Sequence, residues 1–114
     1  GFLNVREEFL ATRASETARV IKAYERARAW TRANPSEAAK ILSLDAKVPL
    51  PVALLQVKLR SDFSNAQPTA EHLRALQLAA PILRDEALVR PGTDLDKAIA
   101  GLVDTSFARQ LTKA

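Results

Sequence analysis

The chain has 114 residues, enough for one ordinary domain and too few for two. Its 47% hydrophobic and 26% charged residues match a globular protein and argue against a disordered tail. The absence of Cys excludes disulfides, thiolate catalysis, thiolate zinc sites and iron–sulfur clusters, the single His72 excludes a multi-His zinc centre, and the net charge of +4 selects no partner by itself.

The chain holds 21 Ala and 16 Leu against 3 Gly, a bias that favours helix. No run of apolar residues is long enough to cross a membrane. Residue 1 is Gly, with no basic run leading into an apolar stretch, so the sequence reads as starting after a tag or inside a longer chain. Phe2 to Val5 reads as a short apolar strand with no second strand to pair with, which places its sheet partner outside this sequence.

Residues 6–11 read as a turn or two of helix. Ser15 is placed to cap a long helix running to about Asn34, with an apolar stripe of Val20, Ala23, Tyr24, Ala27, Trp30 and Thr31. Asn34-Pro35-Ser36-Glu37 has the pattern of a capping box with Pro in the first helical position. The helix it opens carries Ala38, Ile41 and Leu42 inward and ends before Pro49. Leu50 to Arg60 continues as helix with Val52, Leu55 and Leu59 on one face.

Residues 61–68 are polar and irregular. Thr69 caps a long helix with Leu73, Leu76, Ala80 and Leu83 at helical spacing, in which Pro81 predicts a kink near Gln77. Arg90-Pro91-Gly92 is a turn. Thr93 caps a short helix with Leu95, Ile99 and Leu102 as its apolar side, and a last helix covers Ser106 to Leu111. The fold class is mainly α, with about six helices and one short N-terminal strand.

No catalytic set emerges. His72 has no second His and reads as a surface or rim residue. Asp94 and Asp96 suit the first turn of a helix, while the neighbours Asp85 and Glu86 do not face each other, so an acid/base pair is disfavoured. Ser36 and Ser61 belong to no Ser/His/acid set, and Gly at only 1, 92 and 101 excludes a Gly-rich phosphate loop. Arg19, Lys22, Arg26, Arg28 and Arg32 make one helix basic. Glu16 and Glu25 interrupt it, Glu25 lies three residues from Lys22 and Arg28, and Tyr24 and Trp30 read as core. That helix therefore reads as a solvated, salt-bridged face rather than a nucleic-acid surface.

The order of the motifs carries a resemblance. Gly1-Phe2-Leu3-Asn4-Val5-Arg6-Glu7-Glu8-Phe9 is followed by Val20-Ile21-Lys22-Ala23-Tyr24, Ala29-Trp30 and Ala33-Asn34-Pro35-Ser36-Glu37-Ala38-Ala39. Pro49-Leu50-Pro51-Val52-Ala53, Arg60-Ser61-Asp62-Phe63, Pro68-Thr69, Leu76 to Leu88 and Asp104-Thr105-Ser106-Phe107-Ala108 come next. This succession resembles the C-terminal third of the solute-binding proteins of ABC importers for nitrate, taurine and aliphatic sulfonates. Two departures are Lys47-Val48, where many relatives have Gly, and Pro81 within the long helix.

The resemblance implies that residues 1–114 are a single C-terminal segment, the helical part of one lobe of an α/β two-lobed fold of the type II periplasmic-binding-protein kind. It implies a non-enzymatic, periplasmic or lipid-anchored extracytoplasmic protein that closes on a small anionic ligand and docks on a membrane permease, with no cofactor, no metal and no nucleic acid. Ligand-binding residues are unknown and fall mostly outside this segment; Asn4 and Arg6 lie nearest the implied hinge. It also implies self-association of the segment through the apolar edge left uncovered. The alternative is a stand-alone basic helical module that binds nucleic acid or a protein partner.

Overall fold

The computed structural model describes residues 3–112, with the side chain of Thr112 left out of account. Seven helices and no strand occur among the described residues: α1 (Glu7–Thr12), α2 (Ala14–Ala33), α3 (Pro35–Ala46), α4 (Leu50–Leu59), α5 (Ala70–Asp85), α6 (Leu95–Ala100) and α7 (Ser106–Thr112). The mainly helical class holds. The expected strand does not form over Leu3 to Val5, and Phe2 lies outside the described residues. A lone apolar run with no paired neighbour has nothing to satisfy its backbone as a ladder.

The chain folds as two compact units, residues 1–66 and 67–114. In the first, α1, α2, α3 and α4 follow one another. α2 runs into α3 with only Asn34 between them. Pro35 occupies the start of α3, where its missing N–H costs nothing. The predicted capping box does not form. Asn34 Nδ2 instead donates to the Trp30 carbonyl at 3.0 Å, closing α2 rather than opening α3, and Glu37 pairs with Lys40 at 2.8 Å. Ser15 is not the cap of α2 either: the helix starts one residue earlier, and Ser15 Oγ donates to Glu16 at 2.7 Å.

α3 ends on Lys47, whose φ of 54° is left-handed. The next amide, Val48, donates back to the Ser43 carbonyl at 3.2 Å, and Ser43 Oγ donates to the Val48 carbonyl at 2.7 Å. Pro49 then sets the extended entry into α4. This tight reversal brings α3 against α4 around Ala39 and Ala53, both with no exposed surface, and Val57. Ala38, Leu42, Val48, Leu54 and Phe63 pack around them.

The second unit joins α5 to α6 through Ala80, Leu95 and Ile99, with Leu73, Leu76 and Val89 at the edge. His72 occupies the third position of α5. Its Nδ1 accepts the Thr69 backbone N–H at 3.0 Å, so the imidazole fills the place that Glu or Gln takes in a capping box. α5 continues through Pro81 to Asp85. Arg90 to Thr93 is a turn closed by Thr93 N–H on the Arg90 carbonyl at 3.2 Å, with Gly92 at φ 79°, where a side chain would be strained. The cap of α6 is Asp94, which accepts the Lys97 amide at 3.0 Å; Thr93 is spent on Arg90, to whose carbonyl its hydroxyl donates. Leu102, expected on the apolar side of α6, is 65% exposed.

The expected apolar residues Ala38, Leu42, Leu73, Leu76, Ala80, Leu95 and Ile99 pack inward, but the expected faces of α2 and α4 are largely outside. On α2, Val20, Tyr24 and Trp30 are exposed, and the covered row is Thr17, Ile21, Glu25 and Arg28. On α3, Ile41 is exposed and Ala39 is buried; on α4, Val52, Leu55 and Leu59 are exposed while Ala53 and Val57 are buried. The close contact of α3 with α4 centres on small residues, which let the helices approach until larger side chains are left at the rim, whereas α5 and α6 meet through Ala80, Leu95 and Ile99. The chain exposes 9182 Å². A folded monomer of 12.5 kDa exposes about 6,200 Å², and two separate globules of the two units' sizes about 7,400 Å².

Candidate functional site

The densest concentration of exposed chemistry is on α2. Three basic residues, Arg19, Lys22 and Arg26, follow each other at spacings of three and four and are all exposed. The hydrogen bonds of both acids of α2 go to other arginines. Glu16 takes Arg13 at 3.0 Å and the Ser15 hydroxyl, and these hydrogen bonds, Ser15 first, hold its carboxyl below its ordinary value, the charge of Arg19 lowering it further. Glu25 takes Arg28 in a fork, Nε at 2.7 Å and Nη2 at 2.5 Å, on the covered side of the helix. That bond lowers the Glu25 pKa and raises that of Arg28, against a smaller opposing effect of burial. Lys22, which the spacing offers to Glu25 equally, is left outside the pair.

Beside this basic row runs the apolar one. Tyr24 is 59% exposed, Val20 45% and Trp30 43%. The core role expected for both aromatics is therefore overturned. The sequence shows their periodicity but not which side of the helix α3 and the segment after α4 cover.

Arg28 has a role that the sequence did not show. Its third nitrogen, Nη1, donates to the carbonyl of Phe63, so one guanidinium ties α2 to the segment after α4. Phe63 itself packs on the Ala39–Ala53–Val57 cluster. A contact across thirty-five residues leaves no local signal.

The remaining candidates do not assemble into a reactive centre. His72 is half-buried and engaged in the cap of α5. A cleft between the end of α5 and the following turn is lined by Arg84, Ala87, Val89 and residues 90–93, and none of Asp85, Glu86, Asp94 or Asp96 lines it. Asp62 accepts the Ser64 amide at 2.8 Å and Asp104 accepts Ser106 through both its amide and hydroxyl. In each case the bonds from the serine lower the carboxyl's pKa and mark a turn. Ser36 is exposed on α3 and Ser61 is half-buried after α4. No group of three or more His, Asp or Glu that could hold a metal occurs among the described residues. Asn4 and Arg6 are exposed, Arg6 lying 3.9 Å from Glu8 in an open ion pair. No described helix is long and apolar enough to cross a membrane. Comparison of the chain with protein families, with curated proteins and with solved structures gives no match.

Proposed function

We propose that the chain is the C-terminal segment of the solute-binding component of an ABC importer for nitrate, taurine or aliphatic sulfonates. The observation that carries this reading is Lys47. It stands where the proteins it resembles often have Gly, and its φ of 54° is the left-handed conformation for which Gly is the usual residue. The departure in sequence thus keeps the backbone turn that precedes the Pro-started helix. The long helix closing at Asn34, the Pro35 start and the Pro49 entry fall at element ends in the same order. The uncovered apolar faces of α3 and α4 suit a segment that completes its packing against more of the same protein.

On this reading the segment is non-enzymatic and supplies the helical back of one lobe. The small anion is bound by the complete protein, in the periplasm or on a lipid anchor, and the closed form docks on a membrane permease. The test begins with the coding sequence ahead of Gly1. A longer in-frame stretch of alternating strand and helix patterns is expected. A stop codon followed directly by a start would overturn the reading. Calorimetry then compares the complete protein with the 114-residue chain against taurine, nitrate and an alkanesulfonate. Tight binding by the complete protein and none by the segment is expected; a high-affinity site in the segment alone contradicts the reading.

A further inference from the structure

The basic and apolar rows of α2 adjoin. Arg19, Lys22 and Arg26 form one, and Val20, Ala23, Ala27 and Trp30 run beside it over about 15 Å of helix, with Tyr24 at the far edge. All eight residues are exposed. Ala23 and Ala27 make a low centre between Val20 and Tyr24 at one end and Trp30 at the other. A helix can settle into such a saddle, because small residues allow close approach while the larger ones grip its flanks. Both acids of α2 hydrogen-bond Arg13 and Arg28, so Lys22 and Arg26 face outward without either acid, while Arg19 still feels the charge of Glu16.

We propose that the outer face of α2 docks an amphipathic helix of a protein partner, apolar along its centre and carrying Asp and Glu along the flank that meets Arg19, Lys22 and Arg26. The other occupants fit less well. In lipid, Ala23 and Ala27 contribute little insertion energy. For nucleic acid, Tyr24 and Trp30 sit on opposite edges of the row and offer no continuous stacking platform. A second copy packed antiparallel about a two-fold axis would set the two basic rows side by side.

Trp30 is the only Trp and lies in the saddle, so its emission reports docking directly. The probe is a synthetic helical peptide of about 18 residues with a Leu/Ala stripe and Glu along one flank, compared with the same peptide carrying Lys for Glu. The acidic peptide is expected to shift Trp30 emission to the blue, saturably, with affinity about tenfold above the Lys peptide and falling about tenfold on raising salt. Lys22→Glu with Arg26→Glu is expected to reverse the preference, and Ala27→Glu to abolish both responses, with helicity unchanged by circular dichroism. The proposal is overturned if the folded chain gives no shift with the acidic peptide or an equal shift with the Lys peptide. It is likewise overturned if phosphatidylglycerol–phosphatidylcholine vesicles or oligo-dT alone produce the shift, or if sedimentation shows a dimer that already shields Trp30.

Discussion

Arg28→Ala should destabilise the first unit far more than any other change to a charged residue of α2. Arg28 donates a fork to Glu25 and a third bond to the Phe63 carbonyl. A charge-assisted bond to a carbonyl contributes about 1.5–3 kcal/mol, and leaving that carbonyl unpaired adds to the loss. The Glu25 pair is partly solvated, with side chains 20% and 31% exposed, so it contributes about 0.2–1 kcal/mol. The expected loss is thus about 2–3 kcal/mol, a midpoint shift of about 1–2 M urea at the m-values of small proteins. Trp30 fluorescence follows the first unit because Trp30 is the only Trp. Glu25→Gln keeps the carbonyl bond and should cost only the smaller share. The sign with pH follows from the lowered Glu25 pKa. The pair's contribution is complete above the ordinary value of 4.5 and disappears as pH falls through the lower folded value, so the gap between wild type and Glu25→Gln closes in acid. Arg28→Lys should be intermediate, since one ammonium cannot hold both partners in the same geometry. The reasoning is refuted if Arg28→Ala unfolds at the wild-type midpoint, or if Glu25→Gln costs more than Arg28→Ala.

Three other outcomes are expected. Pro81→Ala should stabilise the second unit by about 1–3 kcal/mol, because it restores an amide to the Gln77 carbonyl at an exposed position; thermal denaturation followed by circular dichroism measures it. Ala53→Leu should destabilise the first unit by about 1–3 kcal/mol despite its greater hydrophobicity, since Ala53 has no exposed surface and faces α3; urea titration checks this, and an unchanged midpoint would show that α3 and α4 can separate freely. Asp94→Ala should cost about 1 kcal/mol and reduce hydrogen-exchange protection of the Lys97 amide, whereas Thr93→Val should leave that amide unchanged because its hydroxyl serves Arg90.

The helix ends were readable because Pro and Thr act locally. Pro35 and Thr69 mark the starts of α3 and α5, and the α4 start follows Pro49, all where the sequence places them. Caps were less so: Asn34 could serve the helix behind it or the one ahead, and only the Trp30 carbonyl decides. On α5 and α6 the expected Leu73, Leu76, Ala80, Leu95 and Ile99 pack, but the buried faces of α2 and α4 were misread for a physical reason. Periodicity weights large residues such as Val20, Tyr24 and Leu55, while the α3–α4 contact centres on Ala39 and Ala53, whose small size brings helices together. The exposed row of α2 was visible as a pattern but was assigned to the core. The link from Arg28 to Phe63 was invisible, because it depends on how the segment after α4 returns to α2.

Asn34 ends α2 and begins α3, and its amide and side chain both hold the Trp30 carbonyl. The two helices therefore meet in an elbow with no slack. A loop would absorb torque; this joint cannot. Any force that twists α2 about its long axis is handed on at Pro35 and reaches the fully enclosed Ala39 about one turn later. A crank of this kind makes slowed amide exchange within α3 a remote gauge of whatever grips α2.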